Sequence, residues 1–322
     1  MPRTFLIALL SLSCVSQAAQ SQAAQSQAVQ LDLQLSNQLW PQPSAHTAQI
    51  GLSELPLGPG QFSASLSNRA ATVGYRQSLN LPPLGALDSQ TELARPWRGG
   101  LRLSSSASGS LGPVALQVRG EAFSAPLSAI HPLDQWQETP RDLRPQGWNL
   151  NMDGRYRLDR RRIISVGLET GGQTNVTAGL ELRPTPPQPS ENDEETSSTP
   201  LNLSYRAGLR AGQSVFGVTA GLTLSNEQGL EWRTDALAGT QFGITSRLTL
   251  PPVGDTDFAF YLAYEPWRQT SAPLRYGAEL SRPLGRGTVQ IAARGGQLHG
   301  GPVGGGFEVR YSLPLNADDG QP

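Results

Sequence analysis

From Trp148 to Leu158 the chain reads Trp-Asn-Leu-Asn-Met-Asp-Gly-Arg-Tyr-Arg-Leu, and its side chains change character at every step. Trp148, Leu150, Met152, Gly154, Tyr156 and Leu158 alternate with Asn149, Asn151, Asp153, Arg155 and Arg157. A two-residue period belongs to β-strands, because successive side chains there point to opposite faces. One face must therefore meet something apolar, and the other water or paired charge. A run of about eleven residues is also what a tilted strand needs to cross a bilayer.

The pattern recurs down most of the chain. Leu31, Leu33 and Leu35 alternate with Asp32, Gln34 and Ser36; Val73, Tyr75 and Leu79 with Gly74, Arg76 and Ser78. It returns at 101–104, 114–119, 164–169 and 176–183, and more cleanly at 201–210 and 216–223. Further runs follow at 230–238, 244–250, 258–264, 274–280, 289–293 and 307–313. Short glycine-bearing links such as Gly171-Gly172, Gly212-Gln213, Asn226 to Gly229 and Gly285 to Gly287 imply antiparallel hairpins, since parallel strands need long crossovers. No segment reads as a helix. The expected fold is all-β, antiparallel and up-and-down.

Two architectures accept such strands. A soluble sandwich or propeller buries the apolar face in protein; a membrane barrel turns it to lipid and keeps a polar interior. Three features favour the barrel. Charges stand in mid-strand on the polar face: Asp153, Arg155, Arg157, Glu181, Arg206, Arg210, Glu231, Arg233, Asp235, Arg247, Arg275, Glu279, Glu308 and Arg310. These are the candidate lumen-lining residues. Gly and Ala are frequent on that face, as a crowded concave surface requires. Trp40, Trp97, Trp148, Trp232 and Trp267 fall near strand ends, where an aromatic girdle would stand.

The overall plan, a leader followed by serial alternating strands with short turns, resembles outer-membrane β-barrel proteins as a general, porin-like class. The resemblance covers residues 29 to 315 and is a pattern rather than a signature. The strands read from the sequence fit an antiparallel transmembrane barrel of about 14 (range about 12–16), and the resemblance implies residence in an outer membrane against its lipid, with a passive porin-like or structural envelope role. The solutes implied are small and hydrophilic. Against the class, the chain does not end on an aromatic residue: after Tyr311-Ser-Leu-Pro-Leu315 it runs on through Asn316 to Pro322.

The N-terminus fits export. Residues 1–19 read as a signal peptide, with Arg3, an apolar stretch from Phe5 to Leu12, and Ser16 and Ala18 at cleavage spacing. Cys14 is the only cysteine and invites a lipoprotein reading, but Ser11 stands where such sites usually carry Leu. Residues 20–28 continue a Ser-Gln-Ala repeat that reads as a spacer, 29–315 as the barrel, and 316–322 as a tail. The formal net charge of −1 argues against nucleic acid as a partner, and all 25 cations are Arg. No apolar run of about 18 residues exists, so helical membrane spans are excluded.

Long irregular segments are expected at 82–96, 124–146 and 184–200, the last Pro-rich and acidic. Three strands separate the second from the third, which puts them at opposite ends of a barrel. Long loops of outer-membrane barrels normally share one end. Either a strand is misread, or 124–146 lies at the other end or folds into the lumen.

Chemistry has few footholds. His131, with Ser128 and Asp134 nearby, is the one arrangement resembling a hydrolase site, and no Gly-x-Ser-x-Gly elbow surrounds that serine. His46 and His299 are isolated, and His299 sits in a glycine-rich link without a Lys or the strand-to-helix setting of a phosphate cradle. Asp193, Glu194 and Glu195 are adjacent rather than alternating as a Ca²⁺ loop would need. No catalytic residue, cofactor or metal is expected. The alternatives to the barrel are a soluble or surface-attached all-β binding protein and, further off, an envelope hydrolase. Within a barrel the charged face either pairs into a network that conducts nothing or lines water, where a slight excess of Arg favours anions. Oligomeric state is left open.

Overall fold

The computed structural model describes residues 29–41, 44–81, 85–139, 141–184, 201–268, 273–298 and 301–315. It holds eighteen strands: β1 (Gln30–Trp40), β2 (Ala45–Leu57), β3 (Gly60–Ser67), β4 (Ala70–Leu81), β5 (Gly85–Pro96), β6 (Arg102–Leu111), β7 (Val114–Phe123), β8 (Gly147–Arg157) and β9 (Arg162–Thr170) form the first half. β10 (Asn175–Leu182), β11 (Asn202–Gly212), β12 (Phe216–Ser225), β13 (Glu231–Gly239), β14 (Gly243–Val253), β15 (Thr256–Tyr264), β16 (Leu274–Leu284), β17 (Gly287–Gln297) and β18 (Val303–Pro314) form the second. Each pairs antiparallel with the next, and β1 pairs with β18 from Gln30↔Pro314 to Trp40↔Gly305. The sheet closes on itself, so no strand keeps an unpaired edge.

The structure exceeds the expected count of about fourteen mostly because three strands, β2, β3 and β5, do not read cleanly. In β2 the register shifts between Leu52 and Leu55, where Glu54 takes a φ of 60°, and this bulge breaks the alternation. In β3, Phe62, Ala64 and Leu66 face one way, but the residues between and around them are too small for strong contrast. In β5, Ser89 and Thr91 sit between Leu87 and Leu93 on one face, so both faces look polar; most of the segment 82–96 is thus strand and not irregular.

The register assigns the two faces. Leu33↔Ile50↔Leu66 runs across β1–β3, Val118↔Met152↔Leu168↔Val176 across β7–β10, and Ile291↔Val309↔Leu35 carries the same face through the closure. This face is exposed, with Leu35 at 62%, Val218 at 57% and Tyr205 at 47% relative accessibility. A row of open aliphatic side chains on a water-soluble surface would carry a large penalty; against lipid it carries none.

One end of the barrel carries four two-residue turns, at 58–59, 112–113, 254–255 and 285–286. Each begins with a glycine, Gly58, Gly112, Gly254 or Gly285, at φ between 58° and 62°. Pro59 and Pro113 fix the second position at negative φ, which selects the II′ geometry whose twist matches a hairpin. We call this the turn end. The opposite, loop end carries the segment 124–146, so this segment and the one that begins after Leu182 do leave from opposite ends. The three intervening strands, β8–β10, stand, so the two segments do leave from opposite ends, and 124–146 folds inward.

Residues 1–19 (read as a signal peptide, with Cys14 within them), the segment read as a spacer, 185–200 with its acidic run, His299 and 316–322 lie outside the described residues.

Candidate functional site: the lumen and its inward segment

The fourteen charged positions singled out from the sequence share one face, opposite the leucine ladder. Glu181↔Arg206↔Gly221↔Asp235 crosses β10–β13, Arg233↔Arg247 joins β13 to β14, and Glu308 and Arg310 register with Ser36 and Gln34 of β1. That face is concave and encloses the lumen.

Several of these residues meet. Arg206 reaches over Gly221 to Asp235 at 2.9 Å, and Arg233 binds the same carboxylate at 3.1 Å. Gly221 leaves room for this pair, because a Cβ there would meet the Asp235 carboxylate and push it aside. Arg310 pairs with Asp32 at 2.9 Å across the closure, where Ser53 and Ser312 also donate to that carboxylate. Glu279 and Glu308 converge with Asp134 on Arg294 at 3.3, 3.7 and 3.4 Å. Arg210 binds Glu169 at 3.3 Å, Arg275 binds Glu265 at 2.5 Å, Glu181 binds Arg183 at 2.7 Å, and Arg247 binds Glu138. Asp153, Arg155, Arg157 and Glu231 make no ion pair among the described residues.

Sequence reasoning missed the partners. Asp32, Glu169 and Arg294 stand on the polar side of recognised strands or one step beyond them. Glu265 and Arg268 lie just past β15. Arg268 bridges Glu265, at 3.2 Å, and Glu169. Burial alone would raise the Glu265 carboxyl's pKa; Arg268 and Arg275 outweigh it and hold the group below its ordinary 4.5.

The larger omission is the segment after β7. Eighteen strands enclose a lumen too wide for wall side chains to fill. Residues 124–146 occupy its loop end, through two short 3₁₀ turns, Leu127–Ala129 and Pro132–Trp136. Leu127, Ile130, Leu133 and Trp136 are 4%, 2%, 1% and 0% exposed. Within each turn the pairs Leu127 with Ile130 and Leu133 with Trp136 are spaced by three, as the eclipsed repeat of a 3₁₀ turn has it, and that spacing is the signal that could have found them. Ile130 packs on Ala70 and Ala94 of β4 and β5. Trp136 fits over Gly296 and Gly304, and its carbonyl accepts the Tyr261 hydroxyl at 2.6 Å. Asp134 reaches Arg294 of β17, and Arg102 of β6 donates to the Asp142 carbonyl at 3.0 Å on the way back. From β7 to β17 and back to β8, the segment spans the ring.

The hydrolase arrangement does not assemble. Asp134 engages Gln137 and Arg294, the Ser128 carbonyl accepts from Arg69, and no hydrogen bond links His131 to Ser128 or Asp134 among the described residues. His46 meets Ser44. No group of three metal-ligating side chains occurs among the described residues.

The tryptophans divide. Trp40, Trp97 and Trp148 stand exposed at the loop end at 47%, 55% and 43%, and Trp232 at the turn end at 38%. Phe216, Tyr264 and Tyr276 join the first band, Tyr156 and Tyr205 the second. On β8, Trp148 and Tyr156 are eight residues apart, roughly 26 Å along the strand, or about 20 Å along the axis at a tilt of about 40°. That approaches the roughly 25 Å apolar band of outer-membrane barrels. Trp267 departs from the girdle: it is 4% exposed, packs inside on Val215 and Leu237, and lies under the Arg210 guanidinium at 5.4 Å. Its position just past β15 is real, but the chain turns inward there.

The fold and its two faces define a closed, antiparallel, porin-like β-barrel. No protein-family model and no curated protein matches the chain. Among solved structures it is similar to a mutant of the Rh. blastica porin, at 6% identity and TM-score 0.43, covering 89% of this chain and 99% of that one. It is similar to OccK11 (OpdR) of Pseudomonas aeruginosa, at 10% identity and TM-score 0.46, covering 89% and 95%. The outer membrane protein opdK of the same organism is similar at 10% identity and TM-score 0.43, covering 89% and 97%.

Proposed function

We propose that this protein is exported to an outer membrane, spans it as a barrel, and passes small hydrophilic solutes by passive diffusion. The observation that carries the reading is closure with the leucine ladder outside and the charged ladder inside. Lipid meets the first at no cost, and the second requires water or pairing. The short Gly-led turns support an orientation with the turn end toward the periplasm, where such barrels keep their short connections. No catalytic step enters this reading.

The inward segment gives a second reading specific support. Its buried Leu133 and Trp136 close part of the loop end, and a barrel stoppered this way would serve as an envelope structure that conducts nothing. Planar-bilayer recording separates the two. A channel gives discrete conductance steps from purified protein, and a silent bilayer holding inserted protein leaves the structural reading. Recovery in the soluble periplasmic fraction without detergent would overturn both.

A further inference from the structure

The turn-end half of the lumen holds two cavities against opposite walls, and their chemistry differs. One, about 420 Å³ against β18 and β1–β5, presents Asp32, Glu54 and Glu92 with Arg76 and Arg310. The other, about 650 Å³ against β8 and β10–β13, presents Arg155, Arg183, Arg206 and Arg233 with Glu181 and Glu231. We propose that this second cavity binds a small polyhydroxylated anion, its phosphate or carboxylate held by arginines and a hydroxyl donating to Glu231. The inference rests on the reading of a wet lumen but not on conduction through it.

The case lies in which donors are already spent. Arg206 is committed: it gives Nε and Nη2 to Asp235, Nη1 to Thr223 at 2.8 Å, and Nη2 also to the Leu222 carbonyl. It forms a fixed wall. Arg233 spends Nε on Asp235 at 3.1 Å, and Arg183 spends Nε on Glu181 at 2.7 Å. Among the described residues, the terminal nitrogens of both make no hydrogen bond, and neither does Arg155. Three guanidinium forks with open donors thus line one cavity, and a fork matches phosphate or carboxylate with two parallel N–H bonds. Two acids oppose them. Glu181 is neutralised by Arg183, but Glu231 has no ion pair among the described residues and would repel a bare anion. A ligand that presents a hydroxyl to Glu231 turns that repulsion into an accepted hydrogen bond, so the site selects an anion that is also a polyol. The volume lies within the roughly 300–1,000 Å³ of small-ligand sites.

The approach is charged to match. The turn between β8 and β9 brings exposed Arg157, Arg160, Arg161 and Arg162 to the same end. Its one acid, Asp159, is tied to Arg162 and to backbone N–H groups of the turn. The Arg183 N–H donates to the Arg161 carbonyl at 2.8 Å, which joins this rim to the cavity wall. Such a rim raises the local concentration of anions and loses its pull as salt screens it.

Calorimetric titration of the full chain in neutral detergent micelles at low salt tests the site. Glucose 6-phosphate should bind saturably, more tightly than inorganic phosphate, and more weakly as KCl is added, while glucose should not bind. Arg155→Gln, Arg183→Gln and Arg233→Gln should each weaken it about threefold to tenfold. Glu231→Gln should bring glucose 6-phosphate toward inorganic phosphate. Arg76→Gln, in the opposite cavity, should change nothing. Arg155 has no hydrogen-bond or ion-pair partner among the described residues, so its single variant keeps the test valid if a combined variant fails to fold. No saturable binding by folded protein, or equal affinity in the Arg155 variant, overturns the site. Bilayer conductance reports separately: binding without conductance removes the channel and keeps the site, and conductance without binding does the reverse.

Discussion

At the scale of single residues, the lumen wall is a set of charges held apart or together by what lies between them. Gly221 is the clearest case, since Arg206 and Asp235 meet above it from the strands on either side. Gly221→Val should part that pair and cost about 1–2 kcal/mol, the strain of the added bulk plus a partly exposed ion pair. Chemical denaturation in micelles reads it; Asp235→Asn, which keeps the space but leaves two arginines without their carboxylate, should shift ion selectivity toward anions instead. Glu265 supplies a pH dependence. Its carboxyl sits lower in the folded barrel than its ordinary 4.5, so the stability it contributes is complete above that value. The contribution fades as pH falls from there through the folded value, when Arg268 and Arg275 lose their counter-charge. Unfolding midpoints measured from pH 7 downward should drop below about 4.5, and Glu265→Gln should flatten that drop while lowering stability at pH 7 by about 3–5 kcal/mol.

At the scale of elements, the segment after β7 joins packing to function. It offers little regular structure of its own and is held by Trp136, Leu133, Tyr261 and the ion pairs to Arg294 and Arg247. Trp136→Ala removes a fully buried ring and should cost about 3–5 kcal/mol of the segment's docking. If the segment narrows a channel, single-channel conductance should rise and become noisy while the heat-modifiable shift of the barrel on a gel persists; unchanged conductance would place the diffusion path elsewhere. The strands themselves were largely legible. A strand with lipid on one side and charge on the other writes its alternation in full, as Trp148 to Leu158 does. β5 does not, because Ser89 and Thr91 are polar on the outer face, and β2 does not, because a bulge at Glu54 slips the period. The inward segment was unreadable as an interior element for a different reason. Its leucines, isoleucine and tryptophan recur every third residue, a period that neither the strand nor the α-helix template detects, and the partners that bury them lie up to about 170 residues away.

At the scale of the molecule, one bond pattern decides everything above it: the pairing of β1 with β18. An open eighteen-stranded sheet would expose two unpaired backbone edges to lipid, each unsatisfied group costing several kcal/mol, so the membrane reading needs the ring. The sequence offered no direct sign of this contact, because nearly 280 residues separate strands whose alternation resembles all the others. The closure can be made covalent. Leu35 and Val309 stand opposite each other on the outer face, and the chain's only cysteine is Cys14. Replacing Cys14 by Ser and introducing Leu35→Cys with Val309→Cys should place two thiols where directly paired strands bring Cβ atoms about 4.5–5.5 Å apart, within reach of a disulfide after small adjustment. After oxidation and boiling in SDS, the stapled chain should run as a covalent ring, faster than the same chain after reduction. A control pair, Leu35→Cys with Val218→Cys, lies on a distant strand and should give no intramolecular bridge. If the first pair fails to cross-link in folded protein, β1 and β18 are not neighbours in the membrane, and the enclosed lumen, the inward segment's docking and the anion site all lose the wall on which they depend.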